Sequence, residues 1–177
     1  MGYKDMGLGI GLLVGLIVAI PIIKAMNKDG KFKTKYDEMQ EIARGRAYKY
    51  AFWTLTGYEA LFLVMESLGV PVILSSYTVQ FLGIIIAVMV QASYSIWNNA
   101  YIGLNTNPKR FAIISIFIGV FNLAIGIFNL GVNGIIVNGI LQEGFINLFV
   151  AFCFIVIGTE LLIKWKKDCA ESEEGED

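Results

Sequence analysis

Long runs of sequence without a single charge constrain this chain more than any other feature. They extend from Met6 to Ile23, Ser67 to Pro108, Phe111 to Gln142 and Gly144 to Thr159. A charged side chain at the centre of a membrane-crossing helix costs about 2.5 to 3.5 kcal/mol on insertion scales, so crossings fall where charges are missing. Water-soluble domains rarely carry several such runs. Composition agrees, since 56% of the 177 residues are hydrophobic and only 16% are charged, against roughly 25% charged in an ordinary soluble domain.

Turn signals divide the runs. Ser67-Leu68-Gly69-Val70-Pro71 and the polar Trp97-Asn98-Asn99 bracket one span at 72–97. Further spans are read at 6–26, 111–130 and 145–165. The Gly- and Asn-rich piece from Gly131 to Gly144 holds too short an apolar stretch to cross and suits an interfacial or re-entrant loop. A fifth span, 50–69, starts in the aromatic belt Tyr48, Tyr50, Phe52 and Trp53 and carries Glu59 and Glu66. The expected class is all-α, a transmembrane bundle of five spans forming one membrane domain over 1–167.

Basic residues test that count independently, because loops retained in the cytoplasm carry the Lys and Arg. Of the 14 bases, all but Lys4 fall from the inner end of the first span to the start of the second, in Lys109 and Arg110, or at and beyond the inner end of the last span at Lys164, Lys166 and Lys167. Five crossings with the N-terminus outside and the C-terminus inside predict that pattern, and four crossings would put bases on both sides. The first segment is not read as a cleavable signal, because its positive charge follows the apolar stretch. Cys153 in the last span and Cys169 in the tail are expected to be free thiols.

Polar and small residues inside the spans are the candidate features. Gly7, Gly11, Gly15 and Ala19 form a stripe of small residues in the first span, and Gly119, Asn122, Gly126 and Asn129 form one in the fourth; such stripes let helix backbones approach. Either an intramolecular neighbour or a second copy of the chain would use them. Gly144, Ala151 and Gly158 make a further seam. Glu59 and Glu66 lie seven residues apart on one helix face, with Gln80, Gln91, Asn122 and Asn129 available to complete a polar interior. Glu59 is expected either to stay protonated in a dry contact or to line a wet cavity. Glu160 reads as an ion-pair partner of Lys164, one turn away.

On the cytoplasmic side, Thr34 reads as a helix cap, and Tyr36, Met39, Ile42, Ala43, Ala47 and Tyr50 form an apolar stripe. They predict an amphipathic helix at 34–49, lying on the inner leaflet or docking a protein. The loop from Trp97 to Arg110 is dense in amides, and its Asn99, Tyr101, Asn105, Lys109 and Arg110 are the candidate cytoplasmic interaction motif. The acidic tail, 168–177, is expected to be solvated and disordered.

Asp37-Glu38-Met39-Gln40, Arg44-Gly45-Arg46-Ala47 and Asn99-Ala100-Tyr101-Ile102-Gly103-Leu104-Asn105 together resemble a family of small uncharacterised integral membrane proteins of Gram-positive, clostridial-type bacteria. The resemblance covers roughly residues 36 to 111. This chain has Asn99 where the family pattern favours Asp, so no charge-dependent role is carried over to that position. The resemblance implies a bacterial inner-membrane location and transcriptional-regulator neighbours, without an activity.

Enzyme signatures are missing: there is no His, no phosphate-binding Gly-rich loop with its Lys, no Cys pair at metal spacing and no G-x-S-x-G elbow. No cofactor is expected, and a net charge of -1 gives no reason to expect nucleic acid. The sequence therefore predicts a non-enzymatic accessory or regulatory protein acting through protein or lipid contacts at the cytoplasmic face. The alternative is a small channel or transporter with a polar path past Glu59 and Glu66.

Overall fold

The computed structural model describes residues 17, 20–22, 24–31, 33–134, 136–137, 139–141 and 144–174. These form helices α1 (Glu38–Ser67), α2 (Ser76–Trp97), α3 (Pro108–Asn133) and α4 (Gly144–Glu174), with strands β1 (Ile136–Val137) and β2 (Ile140–Leu141) between α3 and α4. Residues 20–22 and 24–26 are also helical. Three helices, at Ser76–Trp97, Pro108–Val132 and Gly144–Ser172, are long and apolar enough to cross a membrane. The expected span at 6–26 lies mostly outside the described residues. The one expected at 50–69 is the second half of α1, which is not among the three.

α1 is capped by Asp37, not by Thr34 as the sequence suggested. The Asp37 carboxylate accepts the Gln40 N–H at 2.7 Å, and the Gln40 side-chain oxygen accepts the Asp37 N–H at 3.3 Å, a reciprocal capping box. Residues 33–36 are held outside the helix because the backbone of Lys35 bonds elsewhere, to Asn105 and Leu104. α1 then runs unbroken for 30 residues, roughly 45 Å at 1.5 Å per residue. The amphipathic helix and the span read as two elements are thus one. The amphipathic half therefore continues into the second half without a break.

The other helices begin on side-chain caps. Ser75 Oγ accepts the Thr78 N–H at 3.2 Å to start α2, and Asn107 Oδ1 accepts the Arg110 N–H at 3.1 Å to start α3, whose first residue is Pro108. Residues 131–133 finish α3, with Gly134 as its C-cap, and the segment read as a re-entrant loop continues as an antiparallel hairpin pairing Ile136 with Leu141 and Val137 with Ile140. Leu141 N–H donates to Ile73 C=O at 2.7 Å, tying the hairpin to the α1–α2 connection.

α4 corrects two expectations. It continues through 168–174, where the sequence predicted disorder, with Lys164–Asp168 at 2.8 Å and Lys167–Glu171 at 3.7 Å bridging successive turns. Lys164 therefore pairs with Asp168 instead of Glu160, and Glu160 Oε2 is buried without a hydrogen-bond partner. A long Lys stem directs its ammonium toward the polar end of an apolar helix, which favours the partner one turn farther out.

The helices pack in the order α1, α2, α4, α3, with α1 on the edge against α2. The core joins Ile85, Ala92 and Ile96 of α2, Ala112 of α3 and Cys153, Ile157 and Leu161 of α4. The α3–α4 seam is close because its contact residues are small. A Cβ on Gly119 would lie 3.1 Å from the Ala151 carbonyl oxygen, and one on Gly158 would lie 3.0 Å from that of Ala112. Between α1 and α2, the ring of Tyr58 lies over Gly83 and its hydroxyl donates to Val79 C=O at 2.9 Å. α1 and α3 begin, and α2 ends, at one end of the bundle, where α4 carries Lys164, Lys166 and Lys167; this is the basic end.

Candidate functional site

At the basic end the amide-rich loop is built into a clamp. α2 terminates when Ala100 and Tyr101 both donate to the Ser95 carbonyl, at 2.7 and 3.1 Å, with Asn99 in the left-handed region at φ 56°. Asn tolerates that conformation better than most residues. The chain then passes between two other segments. On one side, Lys28 N–H donates to Asn105 C=O at 2.6 Å and Asn107 N–H to Met26 C=O at 3.0 Å, around a bridge of Asn27 with Thr106. On the other, Leu104 N–H donates to Lys35 C=O at 2.9 Å.

Side chains close the clamp. Asn105 Nδ2 donates to Asp29 Oδ1 and to Lys33 C=O, both at 3.1 Å, while its Oδ1 accepts the Lys35 N–H at 2.8 Å. Thr106 Oγ1 donates to Asn27 Oδ1 at 2.7 Å with both residues buried, and Asn27 Nδ2 donates to Lys31 C=O at 2.7 Å. Gln40, already part of the α1 cap, donates from Nε2 to the carbonyls of Asn99 at 2.6 Å and Ile102 at 3.1 Å. Gly103 must lack a side chain, since a Cβ there would overlap the Thr34 methyl and sit 2.7 Å from Lys35 C=O. Each bond adds only about 0.5–1.5 kcal/mol net, but together they fix the starts of α1 and α3 to the end of α2.

Electrostatics follow this geometry. The Lys31 backbone N–H, 3.1 Å from Asp29 Oδ1, holds the Asp29 carboxyl below its ordinary value, helped by the Asn105 amide and by Lys35 and Lys31. Tyr101 packs edge-on against Phe111 at 5.4 Å between ring centres, and burial pushes its phenol up to about 12. Arg44 stacks over Tyr36 at 3.9 Å and Lys109 lies over Trp165 at 5.2 Å.

The proposed interaction motif therefore divides. Asn105 and Tyr101 turn inward and the Asn99 carbonyl is taken by Gln40, whereas Lys109 and Arg110 stay exposed. Next to the clamp, a groove of about 550 Å³ is lined by Asp37, Met39, Ile42, Arg46, Tyr94 and Asn98 among others, with Met39 76% and Ile42 49% exposed. Sequence reasoning missed Asn27, Asp29, Gln40, Gly103 and Thr106 as clamp residues. The turn-forming string Asn27-Lys28-Asp29-Gly30 was the available signal, but nothing in it identifies residues 105 and 106 as its partners.

Of the intramembrane candidates, Glu59, Glu66 and Gln80 line one cleft of about 410 Å³ between α1 and α2, together with Phe62, Ser76 and Val79. The other three are elsewhere. Gln91 Nε2 reaches Ser95 Oγ at 3.4 Å, Asn122 Nδ2 donates to Ile118 C=O of its own helix at 2.9 Å, and Asn129 faces Gly144. Gly119 and Gly126 sit against α4, and Gly7, Gly11 and Gly15 lie outside the described residues. Among the described residues no group of three His, Cys, Asp or Glu is placed to hold a metal ion. No family model, curated protein or solved structure matches the chain.

Proposed function

We propose that the chain is a multi-pass protein of the bacterial cell membrane, crossing five times with its C-terminus in the cytoplasm, that acts without catalysis as an accessory or regulatory protein through its cytoplasmic face. The one-sided distribution of bases supports the topology. The observation that carries the functional reading is the groove beside the clamp. Met39 and Ile42 are exposed apolar side chains on a helix end whose position is fixed by Gln40, so a partner meets a preorganised surface without paying to order it. Amides, a hydroxyl and one carboxylate, engaged with backbone groups and in part with one another, are suited to holding backbone and not to proton transfer.

The test is purification in mild detergent of the wild type and of Met39→Glu with Ile42→Glu. A protein partner retained by the wild type and lost from the double variant is the expected result; identical co-purifying proteins would overturn the reading. Asn105 and Tyr101 are poor sites for this test, because changing them opens the clamp itself.

The cleft that collects Glu59, Glu66 and Gln80 favours a second reading, a small channel or transporter. Proteoliposome flux that falls with Glu59→Gln supports it, and flux absent from the wild type or indifferent to the substitution removes it.

A further inference from the structure

Lys109 and Arg110 are exposed at the start of α3, and among the described residues neither takes part in an ion pair. The Lys109 ammonium lies 5.2 Å over the ring of Trp165, an amphipathic side chain suited to the headgroup level of a bilayer. Lys166, the next residue of α4, is likewise exposed and unpaired. No acidic residue occupies the first turn of α3 to offset its bases. From this end an exposed apolar stripe runs down α3 through Ile113, Phe117 and Phe121, at spacings of four residues, the first three or four residues beyond the two bases.

We infer that this face of α3 binds an anionic phospholipid, its phosphate held by Lys109 and Arg110 and its acyl chain lying along Ile113, Phe117 and Phe121. The inference rests on the membrane topology proposed above and names the lipid for a surface separate from the Met39 groove. Charge complementarity decides the occupant. Two unopposed cations next to a long apolar stripe match a molecule with one anionic head and a long tail, and a zwitterionic lipid brings an ammonium of its own against the same bases. Phe117, 71% exposed, and Phe121, 59% exposed, offer an acyl chain apolar surface to cover.

The test is native mass spectrometry of the full chain, delipidated in detergent and offered phosphatidylglycerol or phosphatidylethanolamine with identical acyl chains. Retention of phosphatidylglycerol in preference to phosphatidylethanolamine is expected from the wild type. Lys109→Gln with Arg110→Gln should reduce that preference by up to roughly 30-fold, from two bases near an anionic headgroup. Lys109→Arg with Arg110→Lys should keep it, which separates charge from folding. Lys33→Gln with Lys49→Gln removes equal charge from the α1 side of the basic end, outside the Met39 groove, and should also keep it. Equal retention of the two lipids by the wild type overturns the inference, as does an equal loss from the Lys33 and Lys49 pair, or a dimer that no longer takes up phosphatidylglycerol. None of these outcomes bears on protein capture at Met39, so the two readings fail separately.

Discussion

The side-chain amide of Asn105 donates to both carboxylate oxygens of Asp29, at 3.1 and 3.2 Å, across 76 residues of sequence. That contact, with the Lys35 N–H delivered to the same Asn105 side chain, joins the segment before α1 to the loop between α2 and α3. An apparently generic amide-rich loop is thereby the fixed point of the basic end.

Asn105→Ala strips partners from the Lys35 N–H, the Lys33 carbonyl and Asp29 at once. Because the site is partly open to water, the expected loss is about 1–3 kcal/mol, read as a lower melting temperature in detergent. Asn105→Asp should cost more at neutral pH, by placing a like charge beside Asp29, and its excess penalty should shrink on acidification. Equal melting of all three proteins would show that the clamp contributes nothing.

Asp29 gives the clamp an acid limit. Its carboxyl titrates below the ordinary 3.8 in the folded protein, so its stabilising contribution is present above that value and is lost as pH falls through the lower folded one. Hydrogen exchange at Lys31 N–H should accelerate below about pH 4 relative to its intrinsic rate. Asp29→Asn should abolish that acid-specific acceleration.

Tyr101 gives an alkaline limit of opposite sign. Burial raises its phenol from 10.0 to about 12, so the folded state favours the neutral form. The Tyr101 contribution to stability is fully present below pH 10 and declines as pH climbs toward 12. Melting curves for Tyr101→Phe should fall less steeply over that interval than those of the wild type.

Gly158→Ala tests the α3–α4 seam. The added methyl would lie 2.6 Å from the side chain of Ile116 and 3.0 Å from the Ala112 carbonyl oxygen, contacts that force the helices apart. A loss of about 1–3 kcal/mol is expected, against little change for Gly57→Ala, where a Cβ meets nothing within 4 Å.

Much of this architecture could be read from the residues. Missing charges locate α2, α3 and α4 because burial of charge is costly wherever it occurs, and Asn107-Pro108 marks the start of α3 because a cap and a helix-compatible φ are local requirements. Degenerate local patterns misled the reading. Lys164 stands four residues from both Glu160 and Asp168, so spacing alone does not choose its partner. The helical period passes through residues 49 and 50 without interruption, and the aromatic belt there suggested a junction the backbone does not make. The clamp was beyond reach for a different reason: pairing of Asn27 with Thr106 depends on non-local backbone geometry, and an Asn that bonds a distant carboxylate has the same sequence signature as one facing water.

The central claim, that the groove beside the clamp is where this protein meets a partner, is tested most directly by a photo-crosslinking residue placed at Met39 in living cells, with Phe117 on α3 as the comparison. The account predicts a discrete protein adduct from Met39 and none from Phe117. Adducts absent from Met39, or the same from both positions, would contradict it.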